Sequence, residues 1–483
     1  MKHLILFTLF FFSVSLSAKT TLQQQVNLLL DSPAVKNAAV SYCVTDVQTN
    51  NVLLSSETQL CVVPASVQKL ITSATALEIL GGGFRFTTFV WAKGEISNRK
   101  LSGDLIITGG GDPTLGSENF GDKGENRKFL SEWVHWIKKA GIDTIAGNII
   151  ADPYIFSDQD VPSSWLWEDL GNHYGAGATG ISVYDNMFNL IFTVPKTPGK
   201  SATLVKTTPD VPGLTVKNEV IASAEKSDNA YVFGSPFDSY RIVKGTLPAG
   251  SDSFVVKASL PDPSLMLASE LKKALTDSSV IVKGNFEKQK VTGPSAIDTS
   301  KIVVMWVSPK LTDIVEQMNQ KSINLYAETL LKQIGLTVSG EGSTKAGTKA
   351  IIDFWKSKGP NTDNLFMVDG SGLSRQDAIT AQTLTDILAY MKNDSKWFDA
   401  YEKSIPLTGI DGTQQYYFQN SELKGKARAK TGSMTRVRSM AGYMTTRSGK
   451  GITFAIMINN YNSNSSTVNS LMEGFLDKIY NEL

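Results

Sequence analysis

The stretch VPASVQKLITSATALEIL, residues 63–80, sets Ser66 three positions ahead of Lys69 at the mouth of an apolar run. Pro64 suits a helix entrance, and Val67, Leu70, Ile71, Ala74, Leu77 and Leu80 recur at helical spacing. The spacing predicts a buried helix that opens just before Ser66, with the Ser66 hydroxyl and the Lys69 ammonium one turn apart on a shared face. A serine hydroxyl becomes a nucleophile when a base takes its proton, and a desolvated lysine of lowered pKa can be that base. The positive end of the helix favours the negative charge such a reaction develops. Ser97/Lys100, Ser223/Lys226 and Ser421/Lys424 share the spacing but sit in polar, turn-like surroundings. The bland alternative is a serine at a helix start beside a solvated lysine.

The rest of the chain narrows the chemistry. Its 483 residues carry a formal charge of +1, with lysine and arginine scattered, so nothing favours nucleic acid or an anionic membrane as partner. Residues 1–18 read as a secretory leader: Lys2 precedes an apolar stretch from Leu4 to Phe12, too short to span a bilayer, and small residues end at Ala18. A soluble periplasmic protein without a stable anchor is expected. Cys43 and Cys61 are the only cysteines; a disulfide formed after export and two buried thiols both remain open. His135 and His173 are the only histidines beyond the leader. That is too little for a zinc site or a Ser-His-Asp triad, and no metal or other cofactor is expected.

Organisation follows from the periodicities. Near the N-terminus, TLQQQVNLLLD reads as a short helix, and NAAVSYCVTD with NVLLSS as a hairpin. ARAKTGSM (427–434), RSMAGYMTT (438–446) and GITFAIMIN (451–459) read as antiparallel strands, and Val468, Leu471, Met472, Phe475, Leu476 and Ile479 form the stripe of a last helix. The expected fold is α+β, an antiparallel sheet flanked by helices and assembled from both chain ends, with a large inserted two-part accessory region. The insertion carries a weak echo: LIITGGGDPTL, FLSEWVHWIKKAG and IAGNI against FVVKASLPDPSL, MLASELKKAL and IVKGNF. This division gives a catalytic part at 19–92 and 297–483, an inserted domain at 93–188 and 266–296, and a nested β-rich domain at 189–265.

Two further motifs complete the pattern. Lys430-Thr431-Gly432-Ser433 lies on a predicted strand, where a cation and a hydroxyl can bind a carboxylate and the glycine admits a second chain closely. Ser322 and Asn324, in QKSINLYAETLLKQIG, stand at a polar break between two helical runs. A literal Ser-Asp-Asn at 227–229 lies in the inserted β-rich region and is set aside. Ser-x-x-Lys, Ser-x-Asn and Lys-Thr-Gly form the motif set of penicillin-binding proteins and β-lactamases. VPASVQKL, GGGDPTL, SINLYAE, VDGSGLSR and AKTGSM occur in the order shown by the class C low-molecular-mass penicillin-binding proteins, which this chain resembles along nearly its whole mature length.

That family comprises D-alanyl-D-alanine carboxypeptidases and endopeptidases acylated by penicillin, and the resemblance implies a penicillin-binding, β-lactamase-like transpeptidase domain. It further implies that Ser66 attacks a peptidoglycan stem peptide with Lys69 as base. Ser322 and Lys430 would pass a proton to the leaving amine while Asn324 holds an amide. Thr431 with Lys430 would bind the terminal carboxylate, the backbone N–H groups of Ser66 and Ser433 would hold the oxyanion, and Gly432 would belong to the same substrate-binding strand. Asp169 and Tyr174, in WEDLGNHYGAGATGISVYDN, and Arg375, in VDGSGLSR, resemble the residues that take a diamino acid. Thr435 stands where some relatives carry glutamine, and weak substrate contact is expected there. A β-lactamase or esterase with the same centre, and a catalytically silent peptidoglycan-binding protein, are the competing readings.

GEGSTKAGTK imitates a phosphate loop, but Thr348 separates Gly347 from Lys349, so the required order fails.

Overall fold

A five-stranded antiparallel sheet joins the two ends of the chain. In spatial order its strands are Ala427–Met434, Val437–Thr445, Gly451–Asn459, Ala39–Asp46 and Val52–Ser56. The computed structural model describes residues 21–121, 124–157, 159–236, 238–289 and 297–483; the leader read at 1–18 lies outside the described residues. The Gly451–Asn459 strand is apolar in nearly every position because both of its faces are covered. Ile452, Phe454, Ile456 and Ile458 share a core with Val468, Met472, Phe475, Leu476 and Ile479 of the helix Ser465–Glu482. The alternate residues Ala455 and Met457 enter a second core with the helices Lys69–Leu80 and Asn324–Ser339. Strand alternation thus serves two cores at once.

The helix Lys69–Leu80 is enclosed on every side rather than along one stripe, with each residue from Lys69 to Leu77 buried. Its hydroxyls find partners inside. Thr72 Oγ1 donates to the Gly370 carbonyl at 2.6 Å, Ser73 Oγ to the Lys69 carbonyl at 2.7 Å, and Trp355 Nε1 donates to Thr75 Oγ1 at 2.8 Å. The α-helix also begins later than the apolar pattern indicates. Ala65–Gln68 is a 3-10 turn, entered through Ala65 at φ 49°, and Ser66 stands on that turn. The turn is clamped to the sheet: Asn459 Oδ1 accepts the Val63 N–H at 2.9 Å, and Ser439 Oγ donates to the Pro64 carbonyl.

The inserted region is built on a second five-stranded sheet, in the order Phe286–Lys288, Ile149–Asp152, Asp104–Thr108, Thr87–Lys93 and Ile302–Val307. The helices Lys128–Lys139 and Pro263–Asp277 pack on each other beside it. The echoing segments meet: Ile149–Asp152 pairs in parallel with Phe286–Lys288, and Thr144–Ile145 with Ile281–Val282. Phe254–Ser259 departs from the echo and pairs with Met187–Thr193.

Four boundaries move. Thr87–Lys93 and Ile302–Val307 pair with each other, and the former pairs with Asp104–Thr108, so both are strands of the inserted sheet rather than of the catalytic part. Met187–Thr193 and Pro263–Asp277 run across the lines drawn at 188/189 and 265/266. An apolar strand reports that it is buried, not which distant strand it joins. The accessory parts share one core, in which Ile149 and Leu271 stand with Phe192 and Val243.

Cys43 and Cys61 are free thiols. Burial pushes Cys43 up to about 11, and Cys61 Sγ faces the Asn364 carbonyl at 3.8 Å.

Candidate active site

Three elements converge at the edge strand Ala427–Met434: the turn bearing Ser66, the break before the helix Asn324–Ser339, and the strand itself. Lys69 is fully buried, and its Nζ donates to Ser66 Oγ at 3.0 Å, Asn324 Oδ1 at 2.6 Å and the Ser371 carbonyl at 2.8 Å. The three rejected Ser-x-x-Lys pairs carry exposed lysines. Desolvation is therefore what sets the 66/69 pair apart, and it pushes the Lys69 ammonium down to about 8 against the pull of Asp369, Glu328 and Asp377.

Ser322 caps the helix Leu311–Lys321 in the left-handed conformation, φ 58°, which turns the chain so that Asn324 can open the next helix. Lys430, also fully buried, donates from Nζ to Ser322 Oγ at 2.9 Å and to the Thr431 carbonyl at 2.7 Å. Burial and the neighbouring Lys69 hold Lys430 well below the ordinary lysine range. Asn324 spends both ends of its amide: Oδ1 on Lys69, and Nδ2 on the Tyr174 carbonyl at 2.8 Å. The second bond docks the loop that carries Tyr174.

Above these groups opens a cleft of about 270 Å³. Ser66, Ser322, Asn324 and Ser433 line its inner end, and Asp169, Tyr174, Arg375 and Thr435 line the remainder. Asp169 and Tyr174 are hydrogen-bonded, and burial raises the Asp169 carboxyl. Arg375 Nη2 donates to the Thr435 carbonyl at 3.0 Å, so Thr435 is engaged through its backbone. Gly432 lies against the Ser66 turn, beneath the cleft. Thr431 is the residue that does not face it: its hydroxyl donates to Thr413 Oγ1 at 2.9 Å. The Ser227-Asp228-Asn229 tripeptide is an exposed turn outside the cleft, with Asp228 Oδ1 accepting the Ala230 N–H at 3.0 Å and the Asn229 N–H donating to the Thr246 carbonyl at 3.0 Å.

Sequence reasoning missed two groups here. Tyr231, on the strand Tyr231–Phe233 of the nested β-rich part, lines the cleft, and its distance in sequence gave no signal. Glu328, Asp369 and Asp377 form a buried acidic cluster behind Lys69. Glu328, raised to about 8 by burial and by Asp369, takes the Gly370 and Ser371 N–H groups at 3.0 and 2.8 Å. An acid inside the apolar run LYAETLL, and another inside VDGSG, were the available signals. Among the described residues no group of three or more histidine, cysteine, aspartate or glutamate side chains could hold a metal ion.

The model of the D-Ala-D-Ala carboxypeptidase 3 (S13) family matches residues 22–479. The chain belongs to this family. It is a serine-type D-Ala-D-Ala carboxypeptidase, as the motif order implied. It is 28% identical over 454 residues to the D-alanyl-D-alanine carboxypeptidase of Actinomadura sp. (strain R39), covering 92% of this chain and 81% of the relative. It is 26% identical over 486 residues to the D-alanyl-D-alanine carboxypeptidase DacB of Haemophilus influenzae, covering 98% and 97%. Its structure is similar to that of penicillin binding protein 4 (dacB) from Haemophilus influenzae, with TM-score 0.81, 23% identity and coverage of 94% and 99%. That protein has also been solved complexed with a β-lactam. The likeness establishes the α+β penicillin-binding fold for this carboxypeptidase.

Proposed function

We propose that this S13 carboxypeptidase works through an acyl-enzyme on Ser66, and that it also cuts peptidoglycan cross-links. One observation carries the reading: a fully buried lysine amine, lowered toward neutrality, stands 3.0 Å from a cleft-lining serine hydroxyl. Neutral Lys69 takes the Ser66 proton as Oγ attacks the carbonyl carbon of the penultimate D-alanine in a stem peptide. The tetrahedral oxyanion lies between the backbone N–H groups of Ser66 and Ser433. The Ser322 hydroxyl gives its proton to the leaving nitrogen and is replenished from Lys430. Asn324 orients the acyl-side amide through the second N–H of its Nδ2. Lys430 and Thr431 bind the terminal carboxylate, for which the Thr431 hydroxyl turns away from Thr413. Water then adds to the ester carbonyl and gives its proton to Lys430, and as the ester C–O bond breaks Lys69 returns its proton to Ser66 Oγ. A β-lactam enters the same first step and leaves a penicilloyl ester on Ser66.

The outer cleft supports the cross-link activity. In D-Ala-diamino acid bonds the leaving nitrogen becomes an ammonium beside a free carboxylate, which Asp169 and Arg375 match in charge and Tyr174 flanks. The leader at 1–18 and a wall substrate support a periplasmic location; no helix among the described residues is long and apolar enough to cross a membrane.

Mass-spectrometric product analysis tests this directly. The enzyme is expected to release D-alanine from a stem pentapeptide and to split a cross-linked dimer into monomers. Asp169→Ala is expected to lower kcat/KM on the dimer by about tenfold to a hundredfold, the worth of one hydrogen bond to a charged group. Benzylpenicillin acylation should change little, because it releases no diamino acid. Equal losses on dimer and penicillin would rule out a leaving-group role for Asp169.

A further inference from the structure

Asp369 is fully buried behind Lys69 and accepts hydrogen bonds from parts of the chain far apart in sequence. Its Oδ1 takes Gln68 Nε2 at 3.0 Å, the Ser371 N–H at 3.1 Å and the Gly372 N–H at 2.6 Å. Its Oδ2 takes Trp165 Nε1 at 2.8 Å and the Ser374 N–H at 2.7 Å. These donors fill the roughly four lone-pair sites of a carboxylate.

Each donor adjoins a working part of the cleft. Gln68 immediately precedes Lys69. The Ser371 carbonyl accepts from Lys69 Nζ at 2.8 Å, so its position aims the amine. Ser374 immediately precedes Arg375, and Trp165 opens the segment that leads to Asp169 and Tyr174. Glu328 braces the same turn from below through Gly370 and Ser371. Asp377 lies on the far side: burial and the Asp369 charge push it well above the carboxylate range, and it is hydrogen-bonded to Asp369.

We infer that Asp369 is a positioning residue of this reaction, a single carboxylate that aims Lys69 through Gln68 and the Ser371 carbonyl and holds the Asp169 and Arg375 loops at the cleft through Trp165 and Ser374. It reaches no substrate atom. Its effect is to tie the placement of the base to the placement of the leaving-group subsite. An asparagine cannot replace it, because one of its two ends would turn N–H groups toward N–H donors.

The inference rests on Lys69 being the base, and the test separates the two. Acylation of the full chain by benzylpenicillin is followed across the neutral and alkaline range for wild type and Asp369→Asn, with thermal unfolding alongside. The groups facing Lys69 are the carboxyls of Asp369, Glu328 and Asp377 and the Lys430 amine. Wild type is expected to show a limb that rises through about 8. In Asp369→Asn the plateau should fall by about tenfold to a hundredfold, the cost of misplacing a reacting group. The limb should also move to lower pH, since losing an anion beside Lys69 favours its neutral form.

An unmoved limb, with or without a lower plateau, would overturn the inference and leave Lys69 as base. A wild type without a limb would overturn both. Should Asp369→Asn fail to fold, Trp165→Phe removes one donor alone. It is expected to raise KM for the cross-linked dimer by about tenfold, with the penicillin limb in place. An unchanged KM would contradict the proposed hub.

Discussion

Lys69→Met is expected to lower kcat/KM for D-alanine release by about a hundredfold to ten-thousandfold, the usual worth of a positioned general base, while the protein stays folded. The methionine fits the buried space of the lysine stem. What is lost is the amine and its bonds to Ser66, Asn324 and the Ser371 carbonyl. Orphaning the buried Ser371 carbonyl costs about 1–3 kcal/mol, and the Ser66 and Asn324 acceptors face the cleft. Removing a charge-bearing group from a buried site returns several kcal/mol on the order of its desolvation penalty. The melting temperature should therefore shift by only a few degrees, in either direction. Active centres commonly hold such internally costly groups.

The sign of the pH dependence follows from the same residue. Only the neutral amine can take the Ser66 proton, and burial sets its pKa at about 8. The wild-type acylation rate is thus expected to rise with pH and level off above that value, falling about tenfold per unit below it. A flat profile, or activity retained by Lys69→Met, would remove Lys69 from the role.

Gly432→Ala is expected to have the second-largest effect, although the glycine carries no functional group. A Cβ at 432 would sit 2.1 Å from Ser439 Oγ, 2.7 Å from the Pro64 carbonyl and 2.9 Å from Ser66 N. Ser439 could rotate only by abandoning its bond to Pro64, and the other two contacts are backbone. The edge strand must therefore retreat from the Ser66 turn and take the Ser433 N–H with it. Loss of one oxyanion donor costs about a hundredfold to a thousandfold in rate, and the overpacking about 1–3 kcal/mol. Stopped-flow acylation and urea unfolding measure the two parts separately. A variant with wild-type acylation would show that the strand and turn need not touch.

Legibility in the sequence tracked how local each feature is. The edge strand with its Lys430-Thr431-Gly432 run, the break at Ser322 and the helix after Ser66 each declare themselves within about a dozen residues through alternation, polarity and helical spacing. Ser66, Lys69, Ser322, Asn324 and Lys430 could be named because motif and context coincide. Other features depend on distant partners. The strand Thr87–Lys93 looks like any buried strand, and only its pairing with Asp104–Thr108 reveals its sheet. The spacing over Lys69–Leu80 indicates a buried helix, but not which distant segments enclose it. The bond from the Thr431 hydroxyl to Thr413 joins segments that nothing in the sequence links. Nothing within VDGSG marks Asp369 for a role, because its donors lie at Gln68, Trp165 and the 371–374 turn and only the fold gathers them.

The central claim is that Ser66 is the acylated nucleophile, and intact mass after brief exposure to benzylpenicillin tests it most directly. Wild type is expected to gain the mass of one penicilloyl group and Ser66→Ala none, with both proteins equally folded. An adduct that persists in Ser66→Ala, or a wild type that neither gains the mass nor turns over the β-lactam, would contradict it.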